Sequence, residues 1–120
     1  MVSEKLDFVI RLARVTGAEL AEVLRYDVSY ISRIRTGKRT PPEMDKILEQ
    51  SAQFFAKKIT TQKQKEIAQK VILGSDDSWP LEEETAAKVI LEWFNSPSGL
   101  DRADAERVRA LPRAKRKSRY

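Results

Sequence analysis

The segment over residues 16–41 constrains the fold most, because it contains two helix starts in close succession. Thr16 is a favourable N-cap, and Glu19 stands three residues later, where a capping box requires an acidic side chain. Asp27 can cap a second helix, and Gly37 supplies a left-handed stop. The sequence therefore predicts two short helices that are joined by a tight turn.

The apolar residues of this segment recur at helical spacing. Leu20, Ala21 and Leu24 fall on one face of the first helix. Ile31 and Ile34 fall on one face of the second. Both faces are predicted to be buried, so that the polar and basic residues of the second helix occupy its outer face.

Three runs of residues carry a resemblance to a known family: A-E-L-A at 18–21, S-Y-I-S-R-I at 29–34 and G-K-R-T-P at 37–41. They are similar to the helix-turn-helix of the Cro and lambda-repressor type (XRE-like) of DNA-binding regulators. The resemblance covers about half of the chain. It implies a lambda-repressor-like all-α bundle whose second helix, at about residues 28–36, lies in the major groove of DNA. It also implies a transcriptional regulator, often a homodimer on a two-fold operator.

Three positions depart from the family pattern. Arg25 stands where the family usually has Gly, because that turn residue tends to adopt a positive φ, and Arg there costs about 1 kcal/mol. Gly17 stands where the family often has a phosphate-contacting Gln, and Arg35 where it often has Glu. The N-terminus of the first helix can still offer backbone N–H groups to phosphate. The operator sequence is therefore not predicted.

Candidate base contacts are Ser29, Tyr30 and Arg33, because the first residues and one outward turn of a recognition helix reach the floor of the groove. Arg33 can donate two hydrogen bonds to guanine O6 and N7. Tyr30 can instead pack on a thymine methyl group or bind phosphate through its hydroxyl. The alternative for the whole motif is two amphipathic helices that only pack together.

Candidate phosphate contacts are Lys38 and Arg39, which follow the recognition helix where the DNA backbone passes. Thr16 and Arg35 are further candidates for the same role. The alternative is that these side chains only form a solvated, charged surface.

The rest of the chain predicts more helices and no strands, because no alternation of period two is sustained. Residues 1–59 form the predicted DNA-binding domain, and residues 60–112 form a small C-terminal helical extension for dimerisation or partner binding. Residues 113–120 form a basic tail that is expected to be disordered. The predicted helices outside the central segment cover residues 4–15, 41–58, 62–73, 80–94 and 101–110.

Charge is distributed unevenly along these regions. Residues 1–59 carry 11 basic and 8 acidic side chains, residues 60–112 carry 7 and 10, and residues 113–120 carry 5 and none. Positive charge is thus concentrated in the helix-turn-helix region and the tail, which favours nucleic acid as a partner. The tail either adds non-specific attraction to phosphate or only keeps the chain soluble.

Composition excludes several chemistries. The chain has no Cys and no His, which rules out disulfides, Cys or His metal sites and nucleophiles that rely on a His base. The acidic residues near residues 76–92 have the spacing of ordinary helix and loop charge, so we predict no enzyme, no metal and no cofactor. No signal peptide or apolar run of about 20 residues is present, which predicts a cytoplasmic protein, nucleoid-associated in a bacterium or phage. A small-molecule effector cannot be predicted.

Trp79, Trp93 and Phe94 are the large aromatic residues of the extension. They belong either to a core or to an interface. The interface is the sharper prediction, because the acidic extension has few other apolar residues to cover two tryptophans. A rival function follows, in which the chain is a non-catalytic interaction or assembly module that docks another protein through these aromatics.

Overall fold

The computed structural model describes residues 2–111, which fold into an all-α bundle without strands in that range. The basic tail lies outside the described residues. A π-helical turn, Gln69–Leu73, continues the fifth helix. The seven α-helices are α1 (Val2–Leu12), α2 (Gly17–Leu24), α3 (Val28–Arg35), α4 (Met44–Lys58), α5 (Gln62–Ala68), α6 (Glu83–Phe94) and α7 (Arg102–Arg109).

Reciprocal capping boxes fix the starts of three helices. In each of them the N-cap side chain accepts a hydrogen bond from the backbone N–H three residues later, and the side chain of that residue accepts one from the N-cap N–H. Such a cap stabilises a helix by about 1 kcal/mol. The three pairs, which begin α2, α5 and α7, are Thr16 with Glu19, Thr61 with Gln64, and Asp101 with Asp104.

The predicted turn between α2 and α3 is confirmed in detail. Arg25 adopts the left-handed conformation, with φ 62°, at the turn position where the resemblance implies a positive φ. Asp27 caps α3 by accepting a hydrogen bond from the backbone N–H of Ser29 at 2.8 Å. Gly37 follows α3 with φ 77°. The two short helices therefore begin and end where the sequence predicts, within about one residue.

Three predicted helices differ from those observed. α1 ends at Leu12, and Arg14 lies in the left-handed region with φ 57°. α4 begins at Met44, after a turn at residues 42–43, so neither Pro41 nor Pro42 belongs to it. α6 likewise starts three residues after Pro80.

Residues beyond 60 share one hydrophobic core with those before it. α6 packs along α4, and the rings of Phe55 and Phe94 lie 6.5 Å apart. Trp93 packs against Phe8 of α1, with 5.7 Å between ring centroids. The extension therefore packs in the same bundle, and the division of the chain at residue 59 into a DNA-binding domain and an extension stays a prediction.

The predicted interface at Trp79, Trp93 and Phe94 is wrong for this chain, and the core alternative holds. The three residues are only 5%, 5% and 1% exposed. The sequence argument counted only apolar residues of the extension as cover. The structure supplies additional cover from the N-terminal helices, among them Phe8.

Lys5 joins α1 to the end of α6 from inside the bundle. The residue is 2% exposed, and its ammonium donates hydrogen bonds to the carbonyl oxygens of Trp93 at 2.7 Å and Ser96 at 2.8 Å. It also lies 5.1 Å from the centroid of the Trp93 ring. A cation is favourable at a helix C-terminus, because the last carbonyl groups carry partial negative charge. Burial lowers the pKa of the Lys5 ammonium.

Candidate nucleic-acid interface

α3 divides cleanly into a buried face and an exposed face. Ile31 and Ile34 are 1% and 0% exposed, and they anchor the helix on the bundle. Ser29 and Arg33 lie four residues apart and are both exposed. The spacing places their side chains as neighbours on the outer face of one helix. The two strongest base-contact candidates are thus brought together on one accessible surface.

Asp27 organises the N-terminal end of this surface. One of its carboxylate oxygens accepts hydrogen bonds from the Ser29 hydroxyl at 2.6 Å and from the Ser29 backbone N–H at 2.8 Å. The hydrogen bond from the Ser29 hydroxyl lowers the pKa of Asp27, and the bond from its backbone N–H adds to this. The Ser29 hydroxyl has donated its proton but keeps lone pairs that can accept a hydrogen bond.

Tyr30 is half-buried and belongs to a cluster that the sequence did not predict. Its hydroxyl donates to a Glu43 carboxylate oxygen at 3.4 Å, and the Tyr26 hydroxyl donates to the same oxygen at 3.1 Å. The two tyrosine rings lie 4.8 Å apart. The guanidinium of Arg39 lies 5.0 Å from the centroid of the Tyr30 ring. These contacts join α3 to the start of α4.

The turn after α3 presents Lys38 and Arg39 on an ordered backbone. Their backbone N–H groups donate to the carbonyl oxygen of Arg33 at 2.9 and 3.2 Å, and both residues are exposed. Gly37 lets the chain turn, because its positive φ is costly for other residues. A Cβ atom there would also lie 3.3 Å from the Ser3 hydroxyl of α1. The backbone of these two residues is therefore held in a defined place after α3.

The sequence predicts that Arg35 lies on the exposed outer face of α3, but the structure places it against α1. Its guanidinium donates to one Asp7 oxygen at 2.6 and 3.0 Å, and its side chain is only 25% exposed. Arg11 donates to the other Asp7 oxygen at 3.0 Å. Burial opposes ionisation of Asp7, but the hydrogen bonds and charges of Arg35 and Arg11 outweigh it and lower the pKa of Asp7. The ion pair ties the end of α3 to α1.

Thr16 is occupied by its capping role. Its side-chain oxygen accepts the Glu19 backbone N–H at 3.1 Å, and the Thr16 hydroxyl also lies 3.3 Å from the Glu19 carboxylate. Thr16 and Arg35 line one pocket at the start of α2, and neither Lys38 nor Arg39 is part of its lining. The four predicted phosphate contacts are thus divided between two places.

Within residues 2–111 no group of three or more acidic side chains has the arrangement of a metal site. No helix in that range is long and apolar enough to cross a membrane. Comparisons of the chain with protein-family models, curated proteins and solved structures returned no match.

Proposed function

We propose that this chain is a sequence-specific DNA-binding transcriptional regulator that inserts α3 into the major groove of duplex DNA. One observation carries the proposal: Ile31 and Ile34 are buried while Arg33 is exposed on the other side of the same helix. A recognition helix requires this division, because one face must hold it to the protein while the other reaches base edges. The exposed cations Lys38 and Arg39 follow directly and can bind phosphates.

Arg33 is the main base contact in this proposal, because its guanidinium can form two parallel hydrogen bonds to guanine. Ser29 offers an acceptor to the amino group of a base, since its own proton is donated to Asp27. Tyr30 contributes less, because its ring and hydroxyl are bound to Tyr26 and Glu43.

The proposed complex contains two copies of the chain on a two-fold operator. One helix-turn-helix unit buries a modest surface on DNA, whereas two units on half-sites about 34 Å apart combine their affinities. Such a complex would act by occupying DNA in the cytoplasm, without catalysis. The rival role as a protein-docking module is less well supported, because Trp79, Trp93 and Phe94, which were predicted to form its docking surface, are buried.

The first test is selection of bound sequences from a randomised duplex pool at near-physiological salt. Enrichment of an inverted repeat would support a sequence-specific dimer. A folded protein that enriches no sequence would overturn the proposal.

The selected duplex then tests individual residues. Arg33→Ala should cost about 1–3 kcal/mol on that duplex and relax the preference at one base pair. Lys38→Ala should weaken selected and random duplexes alike, and it should reduce the salt slope by about 1. Arg102→Ala is the matched charge control, because its side chain is 95% exposed on α7. Equal losses on both duplexes for Arg33→Ala would mean that Arg33 binds phosphate and that its assignment to a base is wrong.

A further inference from the structure

Four arginine side chains line one open pocket of about 580 Å³, next to the start of α2. Arg11 comes from α1, Arg14 from the turn after it, Arg35 from the end of α3 and Arg109 from the end of α7. Residues far apart in sequence therefore converge on a single concave surface. Part of its wall is apolar and is formed by buried side chains, which include Val108 at 4% exposure.

The lining of the pocket is cationic, because it contains arginines and no acidic residue. Asp7 pairs with Arg11 and Arg35 from an adjoining pocket, which Glu4 and Asp101 also line. Clustered guanidinium groups repel each other, and a concave surface concentrates their potential, so the pocket attracts anions. Arg109 adds a further positive charge on an exposed side chain at its rim.

The start of α2 opens at the same pocket and adds favourable partial charge. Thr16 and Gly17 are both part of the lining, and a helix N-terminus favours negative ligands, although the side chains of Thr16 and Glu19 already cap this one. A Cβ atom on Gly17 would lie 3.3 Å from a terminal nitrogen of Arg35. The glycine therefore lets the Arg35 guanidinium approach the helix start closely.

We propose that this pocket binds a phosphoryl group. Several guanidinium groups can bind the oxygens of one phosphoryl group at once, because each presents a planar fork of donors. The phosphoryl group can belong to a small phosphorylated molecule or to the backbone of a duplex. The first source is independent of DNA binding, whereas the second rests on the proposed function.

Binding in the pocket would also affect α3. Arg35 is the last residue of α3, and Asp7 holds its guanidinium through Nε and one terminal nitrogen. The other terminal nitrogen lies near Gly17 at the start of α2, so an anion bound there would share the guanidinium with Asp7. The pocket is thus placed to link ligand binding to the position of the proposed recognition helix.

The test compares Arg109→Gln with Arg102→Gln. Both variants remove one positive charge from α7, but Arg102 does not line the pocket. Isothermal titration calorimetry with inorganic pyrophosphate should give one site on the unaltered protein. Loss of one charge-assisted hydrogen bond should weaken this site about tenfold in Arg109→Gln and leave it unchanged in Arg102→Gln. Circular dichroism confirms that both variants are folded.

A second arm measures binding of both variants to the selected duplex. Weaker pyrophosphate binding with unchanged duplex binding identifies a small phosphorylated ligand as the source. If the unaltered protein has no pyrophosphate site and Arg109→Gln binds the duplex more weakly, the phosphoryl group belongs to the DNA backbone. If the protein binds no duplex at all, the proposed function fails while the calorimetry still tests the pocket. Identical behaviour of the two variants in both arms would overturn the phosphate site.

Discussion

Replacing Gln64 with Leu should destabilise the bundle far more than replacing an exposed side chain of α5. Gln64 is 1% exposed and satisfies both ends of its amide. Its Nε2 donates to the carbonyl oxygens of Leu12 at 2.8 Å and Lys58 at 3.0 Å, near the ends of α1 and α4. Its Oε1 accepts the backbone N–H groups of Thr60 at 3.0 Å and Thr61 at 2.9 Å. One amide thus joins three helices.

The magnitude follows from these four partners. Leucine has a similar volume, so the cost arises from hydrogen bonds and not from a cavity. Each bond lost from a buried group costs about 1 kcal/mol, and the carbonyl of Leu12 lies in the core where water cannot replace the amide. Burial of the leucine side chain returns about 1.5 kcal/mol. The net loss should be about 2–3 kcal/mol, which lowers Tm by about 10 °C for a chain of this size.

Urea denaturation followed by circular dichroism measures this loss. Gln62→Leu is the matched control, because Gln62 is exposed on the same helix, and it should change the unfolding free energy by less than about 0.5 kcal/mol. Gln64→Glu keeps the acceptor and removes the two donors, so it should also destabilise the protein. If Gln64→Leu loses no more stability than Gln62→Leu, the amide does not join the helices and the reasoning is refuted.

Two further substitutions test the contacts of α1. Asp7→Asn should cost about 1 kcal/mol at pH 7, because its ion pair with Arg35 is partly exposed. A lowered folded-state pKa means that the Asp7 contribution is complete above the usual value of 3.8 and disappears as pH falls through the folded value. Unfolding free energies between pH 5 and about 2 should therefore depend less on pH in Asp7→Asn than in the unaltered protein, and parallel curves would contradict this. Lys5→Met should lose about 2 kcal/mol in urea denaturation, because it removes the hydrogen bonds from the buried ammonium to the carbonyl oxygens of Trp93 and Ser96. Exposed Lys63→Met is the control, and equal stability of both variants would show that the buried ammonium contributes nothing.

The starts of α2 and α3 were predictable because the caps that fix them span two or three residues, whereas α4 and α6, which have no side-chain cap, start three residues later than predicted. Thr16 with Glu19 is visible in the sequence as a capping box, and the structure contains both of its hydrogen bonds. Gly37 was predictable for the same reason, since a left-handed stop depends on local backbone sterics. The position of a helix face relative to the core also followed from spacing alone, as Ile31 and Ile34 illustrate.

Contacts between distant segments were not predictable. Nothing near Arg35 in the sequence indicates that it binds Asp7, because the partners meet only after α1 and α3 have packed. Trp93 was assigned to an interface for a related reason: its cover comes partly from Phe8, which belongs to another helix. The role of Glu43 as the shared hydrogen-bond acceptor of Tyr26 and Tyr30 was missed as well, although all three residues are visible in the sequence.

The same distant contacts change how the charge of the helix-turn-helix should be interpreted. Residues 25–39 carry five basic side chains, which suggests five phosphate contacts if charge alone is counted. In the structure Arg35 is held by Asp7, whereas Lys38 and Arg39 are exposed. Each phosphate contact contributes about −0.9 to the slope of log affinity against log salt. In the proposed complex this segment should therefore contribute a shallower slope than its charge implies, and specificity should depend on the exposed Arg33.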